Sequence, residues 1–328
     1  MTGGAMSSES ESIGMEGKAR LFVGSFSRFG IYIAFAVICA FFAAFNPLFL
    51  TAGNLVNIIR QVSFNAIIAM GMTFVIIASG IDLSVGSVLA LTAVIAASLV
   101  TEEAQLLPVP LAVLAGLGIG AACGLFNGFV ITRGRLAPFI VTLVTMTMAR
   151  GASQLYTKGR PITGLRPGFD FMGAGSWLGI PIPIFILAFV VVMSYFILSW
   201  TKMGRYIYAV GGNERAALAS GIKVHRVKIF VYVYSGMTAA LVGLMLSARL
   251  NSASPILGVG YELDAIAATV IGGASMDGGK GKVIGTLIGA LIIGTISNGL
   301  DILNISAYYQ QIIKGIIILV AVLLDKRD

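Results

Sequence analysis

IPIFILAFVVVMSYFILSW, Ile182–Trp200, passes from its proline to its tryptophan without one charged side chain. A run of this length and greasiness suits the ~30 Å hydrocarbon core of a bilayer when coiled as a helix. The rest of the chain repeats the theme. Of 328 residues, 57% are hydrophobic and 11% charged, whereas soluble domains carry about 25% charged residues. Mean hydropathy is +0.95. These values exclude a soluble domain and leave an integral membrane protein. The runs are rich in Leu, Ile, Val, Ala and Gly and lack the strict alternation of a barrel strand. In lipid the backbone must satisfy its own hydrogen bonds, so helices remain. The expected fold is all-α, a polytopic transmembrane helical bundle.

Working outward from that run gives nine clear spans: 30–49, 64–79, 85–100, 111–131, 139–154, 182–200, 228–247, 283–300 and 309–324. A tenth, 261–273, is short and ends in glycine. Parity favours about ten spans, because Lys and Arg gather on the cytoplasmic side. Lys18, Arg20 and Arg28 then share a side with Arg133, Arg135, Lys202, Arg205, Arg215, Lys223, Arg226, Lys228, Lys280, Lys282, Lys326 and Arg327. Both termini and residues 211–222 are thereby expected in the cytoplasm. Arg60 and the long outer loop with Lys158, Arg160 and Arg166 depart from the pattern, and long loops weigh less. The domain reading is a polar N-terminal tail, 1–28, and one transmembrane domain, 29–328, with a cytoplasmic loop at 201–227. The tail opens MTGGAMSSESESIGMEGKAR, polar and acidic before it turns basic, unlike a signal peptide.

The same distribution explains the net charge of +8 without nucleic acid. His225 is the only histidine, and Cys39 and Cys123 lie in apolar runs as small hydrophobes. No metal-ligand or nucleophile–base spacing appears, so neither a metal, nor a cofactor, nor a catalytic residue is assigned to the chain. Glycines recur every fourth residue at 116, 120, 124 and 128, and again at 281, 285 and 289. That spacing lines one helix face and lets another backbone approach. Packing within the bundle is the favoured reading over a moving or dimeric interface. TFVIIASGIDLSVGS (residues 73–87) also echoes ATVIGGASMDGGKG (residues 268–281) in pattern.

Ionisable groups inside spans cost ~2.5–3.5 kcal/mol at a helix centre, so their positions matter. Asp82, Glu262, Asp264, Asp277 and Asp301 all fall at or near helix ends. Asp82 and Asp264 read as helix-cap or structural acids in preference to ion ligands. Arg150 sits near the outer end of its span, and Lys314 lies about 10 Å into its own, at ~1.5 Å per residue, so it faces protein or water. Asn65, Thr73, Asn127, Thr286 and Asn298 are candidates for a sugar-sized polar path. Each serves equally as interhelical hydrogen-bond glue, the favoured reading for any one of them.

GGNERAALASGI (residues 211–222) is the segment that does not belong in oil. Asn213 suits an N-cap, Glu214 the first turn, Ala216 to Ala219 a helix, and Gly221 the left-handed end. Two turns are marginal in water below ~12–15 residues, so this helix needs a surface to rest on. A partner's groove and the chain's own bundle or membrane surface are equal readings at this point.

MGRYIYAVGGNERAALASGIKV (residues 203–224) resembles the cytoplasmic coupling loop of the permease subunits of bacterial sugar ABC importers. NAIIAMGMTFVIIASGIDLSVGSVLALTA (residues 65–93) and GYELDAIAATVIGGASMDGGKGKVIGTLIGALIIGTISNGL (residues 260–300) extend the resemblance, which covers residues 46–326. It implies a homodimeric pore in the bacterial inner membrane, with ribose or a similar simple sugar as cargo. It implies a separate ATPase subunit carrying ATP and Mg, and a periplasmic sugar-binding protein. Gly212, Asn213, Glu214, Arg215, Ala217, Leu218 and Gly221 are then the residues of the helix that couples to the ATPase. The chain has no ATP site of its own: GGKGK (residues 278–282) departs from a P-loop at Ala274 and Gly281. Alternatives are the same importer type for another monosaccharide or a nucleoside, and an ion-coupled carrier. The latter needs acids near the bilayer midplane.

Overall fold

A computed structural model describes residues 30–325 other than residue 104. The expected tail, 1–28, and Lys326 and Arg327 lie outside the described residues. Each segment expected to cross is occupied by a helix: α1 Gly30–Phe45, α2 Ala52–Ile77, α3 Val85–Leu99, α4 Val109–Gly134 and α5 Pro138–Thr157. A four-residue α6, Phe171–Ala174, precedes α7, Ile182–Trp200, whose bounds match the opening run. Beyond it come α8 Lys202–Gly212, α9 Glu214–Ala219, α10 Val224–Leu250, α11 Tyr261–Ile271, α12 Val283–Ile302 and α13 Ala307–Asp325. Helices α2, α4, α7, α10 and α12 are long and apolar enough to cross a membrane, and α1 and α3 are shorter apolar helices. The chain folds as a helical, multi-pass membrane protein.

Helix α8 was not expected. Its residues read as loop because Lys202, Arg205 and three glycines break the apolar pattern. Thr201 starts it by accepting the Gly204 N–H at 3.2 Å, and Ile207, Val210 and Gly211 form its buried stripe. Helix α11 has 11 residues, about 16 Å at ~1.5 Å per residue. That is half of a ~30 Å core, so the short candidate span does not cross by itself.

Helices α2 and α10 form the interior. α10 packs against α4, α2 and α3, while α2 packs against α12 and α11. Along α4 the buried set is Ala112, Gly116, Gly120, Gly124, Asn127, Gly128 and Ile131, a four-residue stripe. A side-chain carbon at Gly120 or Gly124 would collide with the Gly236 or Tyr232 carbonyl of α10. The glycine stripe is therefore helix packing within the chain. The opposite face of α4 exposes Leu114, Leu125, Phe126 and Phe129, and α7 exposes Phe189, Val192, Phe196 and Trp200. Such apolar outer faces suit lipid, not water.

One end of the bundle is tied by short strands. β1 Ile162–Thr163 pairs antiparallel with β4 Ser252–Ala253, and β2 Ser176–Trp177 with β3 Ile180–Pro181. Thr101 bridges to Leu165 beside them. α8, α9 and the glycine-rich 272–282 segment gather at the other end, around the break between α2 and α3.

Candidate functional site

The polar segment at 211–222 folds as its residues dictate. Asn213 accepts the Ala216 N–H at 3.0 Å and caps α9. Gly221, at φ 82°, ends it: Gly221 N donates to Leu218 O and Ile222 N to Ala217 O, both at 3.0 Å. Glycine, lacking Cβ, adopts that backbone region with the least strain. Within α9 one residue, Ala217, is buried, and it seats the turn on the bundle. Arg215 and Leu218 are exposed. Glu214 receives Lys228 of α10 at 2.7 Å. Gly212 closes α8 and is no part of α9 itself. Beside α9 lies an open groove of about 450 Å³, bordered by Thr132 and Arg135 from the end of α4 and by Leu218 and His225.

A second layer anchors this segment. Gly211 is buried, and a side-chain carbon there would run into the Ile77 carbonyl at the end of α2. That carbonyl accepts the Gly279 N–H at 2.8 Å. The Ser79 hydroxyl spans the junction, 3.0 Å from the Gly211 carbonyl and 2.8 Å from that of Asp277. Tyr208 donates to the Gly281 carbonyl at 2.8 Å, and burial pushes its phenol above the usual tyrosine range. Three chain segments thus meet through backbone and two hydroxyls: the end of α2, the end of α8 and the glycine-rich loop. α8–α9 is thereby tied to the C-terminal end of α2. Ser79 and Tyr208 were not singled out from the sequence, because their partners are carbonyls more than seventy residues away.

Asp82, 1% exposed, sits in the α2–α3 break. It accepts the Ser84 N–H at 3.0 Å and the Ser84 hydroxyl on one oxygen, and the Ser235 hydroxyl of α10 at 2.8 Å on the other. Ser84, not Asp82, flanks the first turn of α3, so Asp82 is a structural acid at a junction and caps no helix. Asn127 extends the network, donating to Ser84 at 3.0 Å and accepting from Thr145 of α5. Asp264 lies in the first turn of α11 as expected. Its carboxylate makes no cap bond and pairs with Lys314 of α13 at 2.9 Å. Lys314 thus faces protein.

The candidate path residues separate. Thr73 and Thr286 are fully buried and share a hydrogen bond of 2.8 Å between α2 and α12. Asn298 and Asn54 exchange two amide bonds of 3.1 and 3.0 Å. Asn127 is spent on the Asp82 network. These four are bonded to neighbouring helices in this structure, which favours the glue reading over the path reading. Asn65, half-buried on α2, makes no side-chain hydrogen bond among the described residues. No group of three or more His, Cys, Asp and Glu fit to hold a metal occurs among the described residues.

Known proteins are similar to this chain in sequence. The profile of the family described as branched-chain amino acid transport system / permease component matches residues 54–322. The ribose import permease protein of Haemophilus influenzae is 53% identical, covering 90% of this chain and 91% of that protein. The protein of the same name from Bacillus subtilis is 48% identical over 97% of this chain and 99% of its own length. The D-allose transport system permease protein of Escherichia coli is 39% identical, covering 91% of both. No solved structure matches. The lipid-suited outer faces, the buried α2–α10 core and these likenesses converge: the chain belongs to this family of transport-system permeases.

Proposed function

We propose that this chain is the membrane permease subunit of an ATP-binding-cassette importer that moves ribose, or a similar simple sugar, from periplasm to cytoplasm by alternating access. The observation that carries the reading is the tie between α9 and the core. α9 presents Arg215 and Leu218 outward, while Gly211, Ser79 and Gly279 join its base to the end of α2. A lever needs both properties, a free face for a partner and a stiff link to the element that moves. A separate ATPase subunit, carrying ATP and Mg, seats α9 in a cleft. Closure of the ATPase pair pulls the inner end of α2 and biases one of two bundle arrangements, as coupling requires. A second copy of the chain completes the pore in the bacterial inner membrane, and a periplasmic binding protein delivers the sugar. Ten passages with both termini cytoplasmic fit the positive-inside rule, with α11 and the 254–260 segment together making one.

The test is reconstitution of the chain in vesicles with candidate ATPase and binding-protein partners. ATP-dependent uptake is scored across ribose, allose, other monosaccharides and a nucleoside. The expected result is ribose uptake that stops without ATP. Uptake abolished by an uncoupler and indifferent to ATP would establish the ion-coupled carrier instead. The likeness to a D-allose permease at 39% identity supports a hexose as second reading, which the same panel decides.

A further inference from the structure

With Thr73, Asn127, Thr286 and Asn298 bonded to other helices, the place where a sugar is held inside the bilayer is open. A cavity of about 430 Å³ answers this, bordered by Ser87, Thr147, Arg150, Gln154, Val259 and Glu262. Its volume falls in the ~300–1,000 Å³ range of small-molecule sites. Thr147, Arg150 and Gln154 are spaced by three and four residues, so they share one face of α5. Glu262 comes from the first turn of α11 and Ser87 from the first turn of α3.

The two helix starts meet below the strand-tied end of the bundle. α3 has 15 residues, and its far end adjoins the strand-tied end of the bundle, so it begins about 22 Å below that end at ~1.5 Å per residue. α11 begins beside it. A side-chain carbon at Gly86 would strike the Gly258 carbonyl and the Glu262 carboxylate. Arg150 holds the descending segment in place, donating to the Pro255 and Leu257 carbonyls at 2.8 and 2.9 Å. Broken helices whose positive N-terminal ends converge in the bilayer create a polar place for a solute.

Two lining groups lack protein partners. Ser87 is 2% exposed, yet its hydroxyl makes no hydrogen bond among the described residues. The Gln154 amide makes none either, on an exposed stretch of a helix face. Arg150 and Glu262 border the same cavity without forming an ion pair. Lipid would leave the Ser87 hydroxyl and the Gln154 amide unsatisfied at a cost of several kcal/mol, whereas Thr147, Arg150 and Glu262 already have backbone partners. Together they offer hydroxyls, an amide with donor and acceptor, a cation with fixed donors and a carboxylate acceptor. That mixture matches a molecule in which each hydroxyl both donates and accepts.

We propose that the Ser87–Thr147–Arg150–Gln154–Glu262 cavity is a station for a neutral polyol on its way through the bundle, and this rests on the transport reading above. The test uses the assembled complex in vesicles, with Cys39 and Cys123 replaced by alanine and Thr147→Cys as reporter. During ATP-driven turnover a charged, water-borne thiol reagent labels the reporter, and ribose delivered by the binding protein slows the labelling. Separately, the Thr147→Val, Gln154→Leu double variant assembles with its ATPase, judged by co-purification, and imports ribose about tenfold more slowly, as two lost hydrogen bonds predict. Labelling only by a membrane-permeant apolar reagent, no labelling, or labelling indifferent to ribose overturns the station. So does an assembled double variant that transports at the parent rate. Vesicles of the unaltered chain that take up no ribose overturn the transport reading itself.

Discussion

Gly211 and Gly212 are neighbours with opposite demands. A side-chain carbon at Gly211 meets the Ile77 backbone, whereas one at Gly212 meets nothing within 4 Å. Gly211→Ala is expected to destabilise the purified protein by about 1–3 kcal/mol through overpacking. Gly212→Ala should stay within about 0.5 kcal/mol of the parent. Thermal melting in one detergent checks both, and equal melting temperatures for the two variants would refute the close approach. The Asp264–Lys314 pair makes a second residue-scale prediction, because the Asp264 side chain is 9% exposed. Lys314→Met strands a buried carboxylate and should cost about 3 kcal/mol or more. Adding Asp264→Asn should restore most of that loss. A double variant melting no higher than Lys314→Met would show that the pair does not act as a unit. From the sequence, Lys314 was legible as a lysine that must face protein or water. Its partner, 50 residues away, was not.

Among the elements, α9 was the most legible. Asn213, the alanines and Gly221 specify its start, body and stop through local backbone chemistry, and the structure places each in that role. What local chemistry does not specify is α8 in front of it, or the junction behind it. α8 depends on burying Ile207 and Val210 against the bundle, a tertiary gain that outweighs the glycines in its sequence. If α9 is the lever, weakening its cap should uncouple transport without unfolding the bundle. Asn213→Ala removes a cap worth about 1 kcal/mol and should lower sugar-stimulated ATP hydrolysis in the reconstituted complex while leaving the melting temperature of the bundle in place. Ala217→Trp should do so more strongly, because Ala217 is the one buried residue under the turn. Normal stimulation in both variants would remove α9 from the coupling role. The Thr73–Thr286 and Asn54–Asn298 bonds show the converse limit. Their polarity was plain in sequence, but whether a hydroxyl faces a solute or another helix depends on which helices are neighbours.

For the whole molecule, the charge distribution predicts sidedness. Cysteine placed at Arg215 should react with a membrane-impermeant thiol reagent only from the cytoplasmic side, and cysteine at Lys158 only from the periplasmic side. Both positions are exposed, so access is decided by the membrane. Labelling of both from one side would overturn the ten-passage topology. The order of helices, the lipid-facing chemistry and the limits of α7 are products of the sequence by itself: in hydrocarbon an apolar segment has one way to satisfy its backbone, and its length follows from bilayer thickness. Tertiary structure decided the rest. It set α2 and α10 at the centre, joined Ser79 to Gly211 and Asp277, bonded four candidate path residues to neighbouring helices, and brought the starts of α3 and α11 together beside a cavity. The physical reason is that hydrogen bonds and close packing between distant segments depend on which helix lies beside which. Periodicity and charge along one chain are silent about neighbours.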